Sequence, residues 1–185
     1  MRPRRFKGYI RVLAVDPGSH GFGYAVLEGP SRLIDWGTTD IRKDKDSSAA
    51  RKVDELLRWY EPDVLVVEDC SHDSSRRNPR ITALVARMLE IAAALGVSSR
   101  RIPIFQMYRH FAKGGARNKY MIAVALVDRF PSLLLRLPPK RKPWQSEDRR
   151  MSIFDAVALG ITYLIQHRRQ PADTMPLAHV SSRAA

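Results

Sequence analysis

Residues 11–28 read RVLAVDPGSHGFGYAVLE. Val12 to Val15 form an apolar run of buried-strand length. The run stops at an acid, Asp16. Pro17 and Gly18 then provide a turn, because proline presets φ and glycine accepts positive φ. A second apolar and aromatic run, Phe22 to Leu27, follows at once. The pattern predicts two strands joined by a short glycine-rich connection, with a carboxylate where the first strand ends. By itself Asp16 fits a turn-opening residue equally well. The weight shifts because the same arrangement recurs further along the chain.

After Gly29-Pro30, residues 31–42 predict a third strand and complete an antiparallel meander. Ala49 to Tyr60 carries Val53, Leu56 and Leu57 at helical spacing. Pro62 stops that helix. Val64 to Val67 is a fully apolar strand that ends at Glu68, as a strand does after a parallel crossover. Arg80 to Leu95 predicts a second helix and Gly96 its stop. A short strand is expected at Ile102–Phe105, and a basic loop from Tyr108 to Lys119. Asn118 caps a helix running to Arg129, and residues 130–146 form an extended, proline-rich basic loop. A last helix runs from about Glu147 to Gln166. The expected fold is α/β: a mixed five-stranded sheet, antiparallel meander plus parallel strands, flanked by helices. Residues 1–7 are expected as a basic flexible arm, 8–166 as one domain, and 167–185 as a disordered tail.

The chain has 185 residues and a formal net charge of +13, from 32 Lys and Arg against 19 Asp and Glu. That excess calls for a polyanionic partner, nucleic acid first. No apolar run has membrane-spanning length and no secretory pattern opens the chain, so the expected location is cytoplasmic. Cys70 is the lone cysteine, which excludes an internal disulfide and a cysteine-based zinc site.

Three acids stand where plain folding would not choose them. Asp16 ends LAVD and Glu68 ends LVVE, while Asp155 is the lone charge in IFDAVALGITYLI, residues 153–165. A buried carboxylate should be neutral, paired or metal-bound. If the strands bearing Asp16 and Glu68 are parallel neighbours, both acids emerge at one sheet end, where α/β sheets gather ligands. Oxygen donors alone suit Mg²⁺ or Mn²⁺. Such a cluster can hold two ions, about 4 Å apart, across a phosphodiester.

These motifs resemble the RuvC-type Holliday-junction resolvases of the RNase H-like superfamily. The likeness rests on Asp16-Pro17-Gly18-Ser19 with Gly23-Tyr24-Ala25-Val26, on Pro62-Asp63 leading into Val66-Val67-Glu68, and on residues 155–162, DAVALGIT. It covers roughly residues 10–166 in the family's order. The resemblance implies a homodimeric, metal-dependent endonuclease that cuts four-way DNA junctions, with Asp16, Glu68 and Asp155 as metal ligands. One position departs from the family, which carries an acid or a histidine three residues before the last Asp. Here that residue is Ser152, a poor ligand for a hard cation. Asp148, two helical turns before Asp155, is a candidate replacement; complementing the helix dipole explains it equally well.

Arg76, Arg77 and Arg80 after Glu68, and Lys113, Arg117 and Lys119 in the basic loop before the third predicted helix, are the candidate DNA contacts. His20 and His72 are weak candidates for a role near the acids. Trp36 is expected to pack, and Trp144 either to stack on a base or to anchor its loop. Two other readings share the fold: a junction-binding module with weakened catalysis, for which Ser152 is the warning, and a YqgF-like RNA-processing nuclease. An actin-like ATPase needs two such domains, which this length does not provide.

Overall fold

A computed structural model describes residues 3–18, 21–40, 45–69 and 79–167. Arg76, Arg77, His20, His72 and Cys70, and the tail after His167, lie outside the described residues. The meander is β1 (Arg11–Gly18), β2 (Gly21–Glu28) and β3 (Leu33–Asp40). Helix α1 (Lys45–Tyr60) crosses to β4 (Val64–Glu68), and α2 (Pro79–Ala94) crosses to β5 (Ser98–Ile102). Then come α3 (Ile104–Ala112), α4 (Lys119–Arg129), a 3₁₀ turn (Pro131–Arg136) and α5 (Met151–His167). The sheet order is β3-β2-β1-β4-β5, with β1 antiparallel to β2 and parallel to β4. The mixed five-stranded sheet expected from the sequence is present.

Strand alternation divides the core into two layers. Leu13, Val15, Leu65 and Val67 face α1 and α2. Val12, Ala14, Val64 and Val66 face α4 and α5. Helix α5 is buried from Ile153 to Leu164, packed on β1 and β2 with α4 beside it. Gly160 allows that approach: a Cβ there would collide with Leu27 and lie 3.2 Å from the Cβ of Ala14.

Three expectations need correction. Strand β1 does not stop at Asp16 but runs on to Gly18, pairing Asp16 with Gly23 and Pro17 with Phe22. The parallel ladder to β4 has already ended at Val15 and Val67, so a residue lacking an N–H fits on that open side. The fifth strand lies at Ser98–Ile102 rather than 102–105; it is a largely exposed edge strand that includes Arg100 and Arg101, so no apolar alternation marks it. Residues 108–112, expected in a basic loop, are the second half of α3. Ile104, Met107, Tyr108 and Phe111 fall at helical spacing and pack toward the α5 layer. The basic residues among them obscured that stripe.

The segment expected to be a free arm is tied to the body over residues 3–6. The carbonyls of Pro3 and Arg4 accept bonds from Arg11, Arg5 pairs with Asp63, and the Phe6 N–H donates to Glu28. Among the described residues no helix is long and apolar enough to cross a membrane.

Candidate nuclease site

The register of the sheet builds the site. Asp16 follows Val15, Glu68 follows Val67, and those two valines are paired neighbours on parallel strands. Alternation gives Asp16 the facing of Val12 and Ala14, and Glu68 that of Val64 and Val66. Both acids therefore lie on the α5 side at the carboxyl end of the strands. The first turn of α5 lies over the same place. Gly23, the pairing partner of Asp16, sits so close to Ser152 that a Cβ would collide with the Ser152 carbonyl. Asp155 follows Ser152 by three residues, nearly one turn, on the buried helix. The exposures of Asp16, Glu68 and Asp155 are 6%, 4% and 7%.

Lys119 joins these acids. Its ammonium donates to Oδ2 of Asp155 at 2.7 Å and pairs with Oε1 of Glu147 at 3.0 Å. Burial works against the charge on Lys119. Attraction to Asp155, the hydrogen bond to it, and the charges of Asp16 and Glu147 outweigh burial, and the pKa is raised. Asn118 places this lysine on the first residue of α4, its side chain accepting the Met121 N–H at 2.9 Å as an N-cap does. Tyr108 reaches the same cluster from α3. Burial raises its phenol pKa and Lys119 works against the shift, while Asp155, Glu147 and Glu68 add to it.

Burial alone does not mark a functional acid. Glu28, at the opposite end of β2, is 2% exposed but is held by Arg11 at 2.9 Å and by Arg32. That carboxylate is neutralised by two guanidinium groups and closes the sheet end. Lys119, by contrast, is one ammonium shared by Asp155 and Glu147.

Asp148, the candidate fourth acid, pairs with Arg150. Helix α5 begins at Met151, so residues 147–150 are not helical and the wheel that aligned Asp148 with Asp155 does not exist there. Asp148 instead accepts from Arg150, through Oδ1 from the backbone N–H at 2.9 Å and through Oδ2 from the guanidinium at 2.7 Å. The Arg150 side chain holds its carboxyl below the usual carboxylate range. Glu147 is the residue that turns toward Lys119. Sequence reasoning gave Glu147 only as the start of the last helix and Tyr108 only as the start of a basic loop. Ser152 faces its own turn, donating to the Arg149 carbonyl at 2.7 Å.

Asp16, Glu68 and Asp155 offer oxygen donors only, which in kind fit a hard divalent cation. As the side chains stand, no three candidate ligands among the described residues converge on one ion position. Arg80 is exposed at the start of α2, just past the stretch that follows Glu68; Lys113 and Arg117 are exposed in the turn that leads to Lys119. Trp36 packs partly buried against the α5 layer, as expected.

No family model matches the chain. A crossover junction endodeoxyribonuclease RuvC of Akkermansia muciniphila is 25% identical, across 84% of this chain and 90% of that protein. The structure of Thermus thermophilus RuvC superposes with a TM-score of 0.65 at 18% identity, covering 86% of this chain and 96% of the other. The same protein in complex with a Holliday junction substrate gives 0.64, with the same coverage. The yeast mitochondrial Holliday junction resolvase Ydc2 gives 0.55 at 16% identity, covering 84% of this chain and 78% of the other. In sequence the chain resembles a RuvC, and in fold it resembles the junction resolvases.

Proposed function

We propose that this protein is a divalent-metal-dependent endodeoxyribonuclease that resolves four-way DNA junctions. The observation that carries the reading is a set of three nearly buried acids, Asp16 and Glu68 at the ends of neighbouring parallel strands and Asp155 paired with Lys119, in a chain of net charge +13. The likeness to a RuvC in sequence, and to junction resolvases in fold, supports it.

Asp16, Glu68 and Asp155 would hold Mg²⁺ or Mn²⁺, two ions per site. Bound there, such ions would lower the pKa of the attacking water and stabilise the leaving 3′ oxygen. The remaining work belongs to the chain. Burial keeps the three carboxylates away from bulk water and fixes their direction. Lys119 balances their charge and presents an ammonium at the mouth, where it can offset charge on the phosphate in the transition state. Glu147 would complete the acidic shell in the place where Asp148 was expected, while Asp148 braces the entry to α5. Arg76, Arg77, Arg80, Lys113 and Arg117 would hold the strands through their phosphates.

Paired cuts across a symmetric junction require two sites, so the working form would be a homodimer. The working location would be the cytoplasm, on the nucleoid if the host is bacterial. A synthetic four-way junction incubated with Mg²⁺ or Mn²⁺ should be nicked in pairs. Asp16→Asn should abolish the nicks and leave junction binding largely intact. Equal loss of binding and cutting in a folded variant would contradict the site. A structured RNA in the same assay separates this reading from the RNA-processing one.

A further inference from the structure

The proline-rich segment 137–147 returns from the end of α4 to the acid cluster, and it carries a feature the proposed chemistry leaves unused. Lys142, Pro143, Trp144 and Gln145 form a tight turn. The Gln145 N–H donates to the Lys142 carbonyl at 3.0 Å, and the Lys142 N–H donates to Oε1 of Gln145 at 3.0 Å. Pro143 stands at the second position of that turn, where its fixed φ stiffens the backbone. Trp144 occupies the third position and is 77% exposed. The Lys142 ammonium lies 5.6 Å from its ring centre. Hydrophobic anchoring of the loop, one of the two roles open to this residue, would have buried the ring. A large aromatic ring held out on a stiffened turn is arranged to meet a flat partner.

Charge and position say which partner. Lys140 and Arg141 precede the turn and are exposed, so the strip suits a phosphate backbone. Glu147 lies three positions after Trp144, a span of at most about 11 Å. Glu147 pairs with Lys119, and Lys119 with Asp155. A strand whose phosphate lies at the acids therefore passes within a few nucleotides of the ring.

We propose that Trp144 stacks on an unpaired base of the DNA strand being cut, with Lys140, Arg141 and Lys142 holding its phosphates. The proposal rests on the DNA nuclease reading and adds a base-binding subsite to it. Aromatic stacking tolerates any base, so the subsite selects opened strands over closed duplex rather than a sequence.

The test uses the full chain with Asp16→Asn to prevent cutting, and a synthetic four-way junction as the probe. Junction binding should quench tryptophan emission, and Trp144→Phe should remove most of that quench while binding stays within about threefold. Trp144→Leu keeps bulk but loses the π face, and should weaken junction binding roughly 5- to 150-fold. It should leave the salt dependence unchanged, whereas Lys142→Ala should make that dependence shallower by about one phosphate. An unaltered melting temperature in each variant excludes misfolding. Trp144→Leu binding the junction as well as the parent overturns the subsite while the nuclease reading stands. A parent that binds no DNA overturns that reading and this one together.

Discussion

At the residue scale, the decisive side chain is Lys119. Its ammonium, 29% exposed, is the cation that Asp155 and Glu147 share. Lys119→Met leaves nearly buried acids without it. Breaking a buried pair costs about 3–5 kcal/mol, and partial exposure here reduces that to roughly 1–3 kcal/mol. The variant should melt lower than the parent and should regain more of its melting temperature on addition of Mg²⁺, because a divalent ion can take over the missing charge. Calorimetry with and without Mg²⁺ reads this, and equal Mg²⁺ shifts in parent and variant would count against it. His110 gives a separate test. Burial, then Lys113 and Arg129, lower its pKa, so the folded protein prefers the neutral ring. Stability from this group is complete above the unfolded value of about 6.5 and is lost as pH falls through the folded value. His110→Gln should therefore flatten the acid side of the stability curve between about pH 7 and 5. An NMR titration should place the ring below the ordinary histidine value.

At the element scale, α5 is the part that must be seated correctly. Two glycines control its fit in different ways. Gly23 lies under the first turn and faces the Ser152 backbone, which cannot move without moving the helix end. Gly160 lies farther along, against Leu27 and Ala14, where a leucine side chain can shift. Overpacking at either position costs about 1–3 kcal/mol. Gly23→Ala should also lose most cleavage per folded molecule, because Asp155 moves with the turn. Gly160→Ala should lower the melting temperature and keep cleavage per folded molecule. Loss of activity in both, or in neither, would show that the first turn does not set the Asp155 position.

For the whole molecule, a net charge of +13 goes with three nearly buried acids and with exposed basic residues that include Arg80, Lys113 and Arg117. Binding should weaken steeply with salt, because each neutralised phosphate releases counterions. With about six phosphate contacts, the slope of log K against log salt would be about −5. A flat response in a fluorescence titration would remove Arg80, Lys113 and Arg117 from the DNA surface.

Strands β1 to β4 and three acids that stand out against their apolar surroundings were legible in the sequence. A buried strand needs a contiguous apolar run, and an acid that ends such a run, or interrupts the apolar helix 153–165, stands out against it. Helix α3 was missed because basic residues hid its apolar stripe. Edge strand β5 was misplaced because exposure along most of its length removes the periodic signal. What the linear order could not decide was which charges meet. Asp148 and Glu147 differ by one position, and the start of α5 at Met151 sends one to Arg150 and the other to Lys119. Lys119 and Tyr108 join the acids because α3 and α4 pack against α5, which carries Asp155. The sequence by itself determined which residues are too costly to bury alone. Only the tertiary structure decided their partners, because electrostatic pairing falls off within a few ångströms and those distances are set by where distant elements begin and cross.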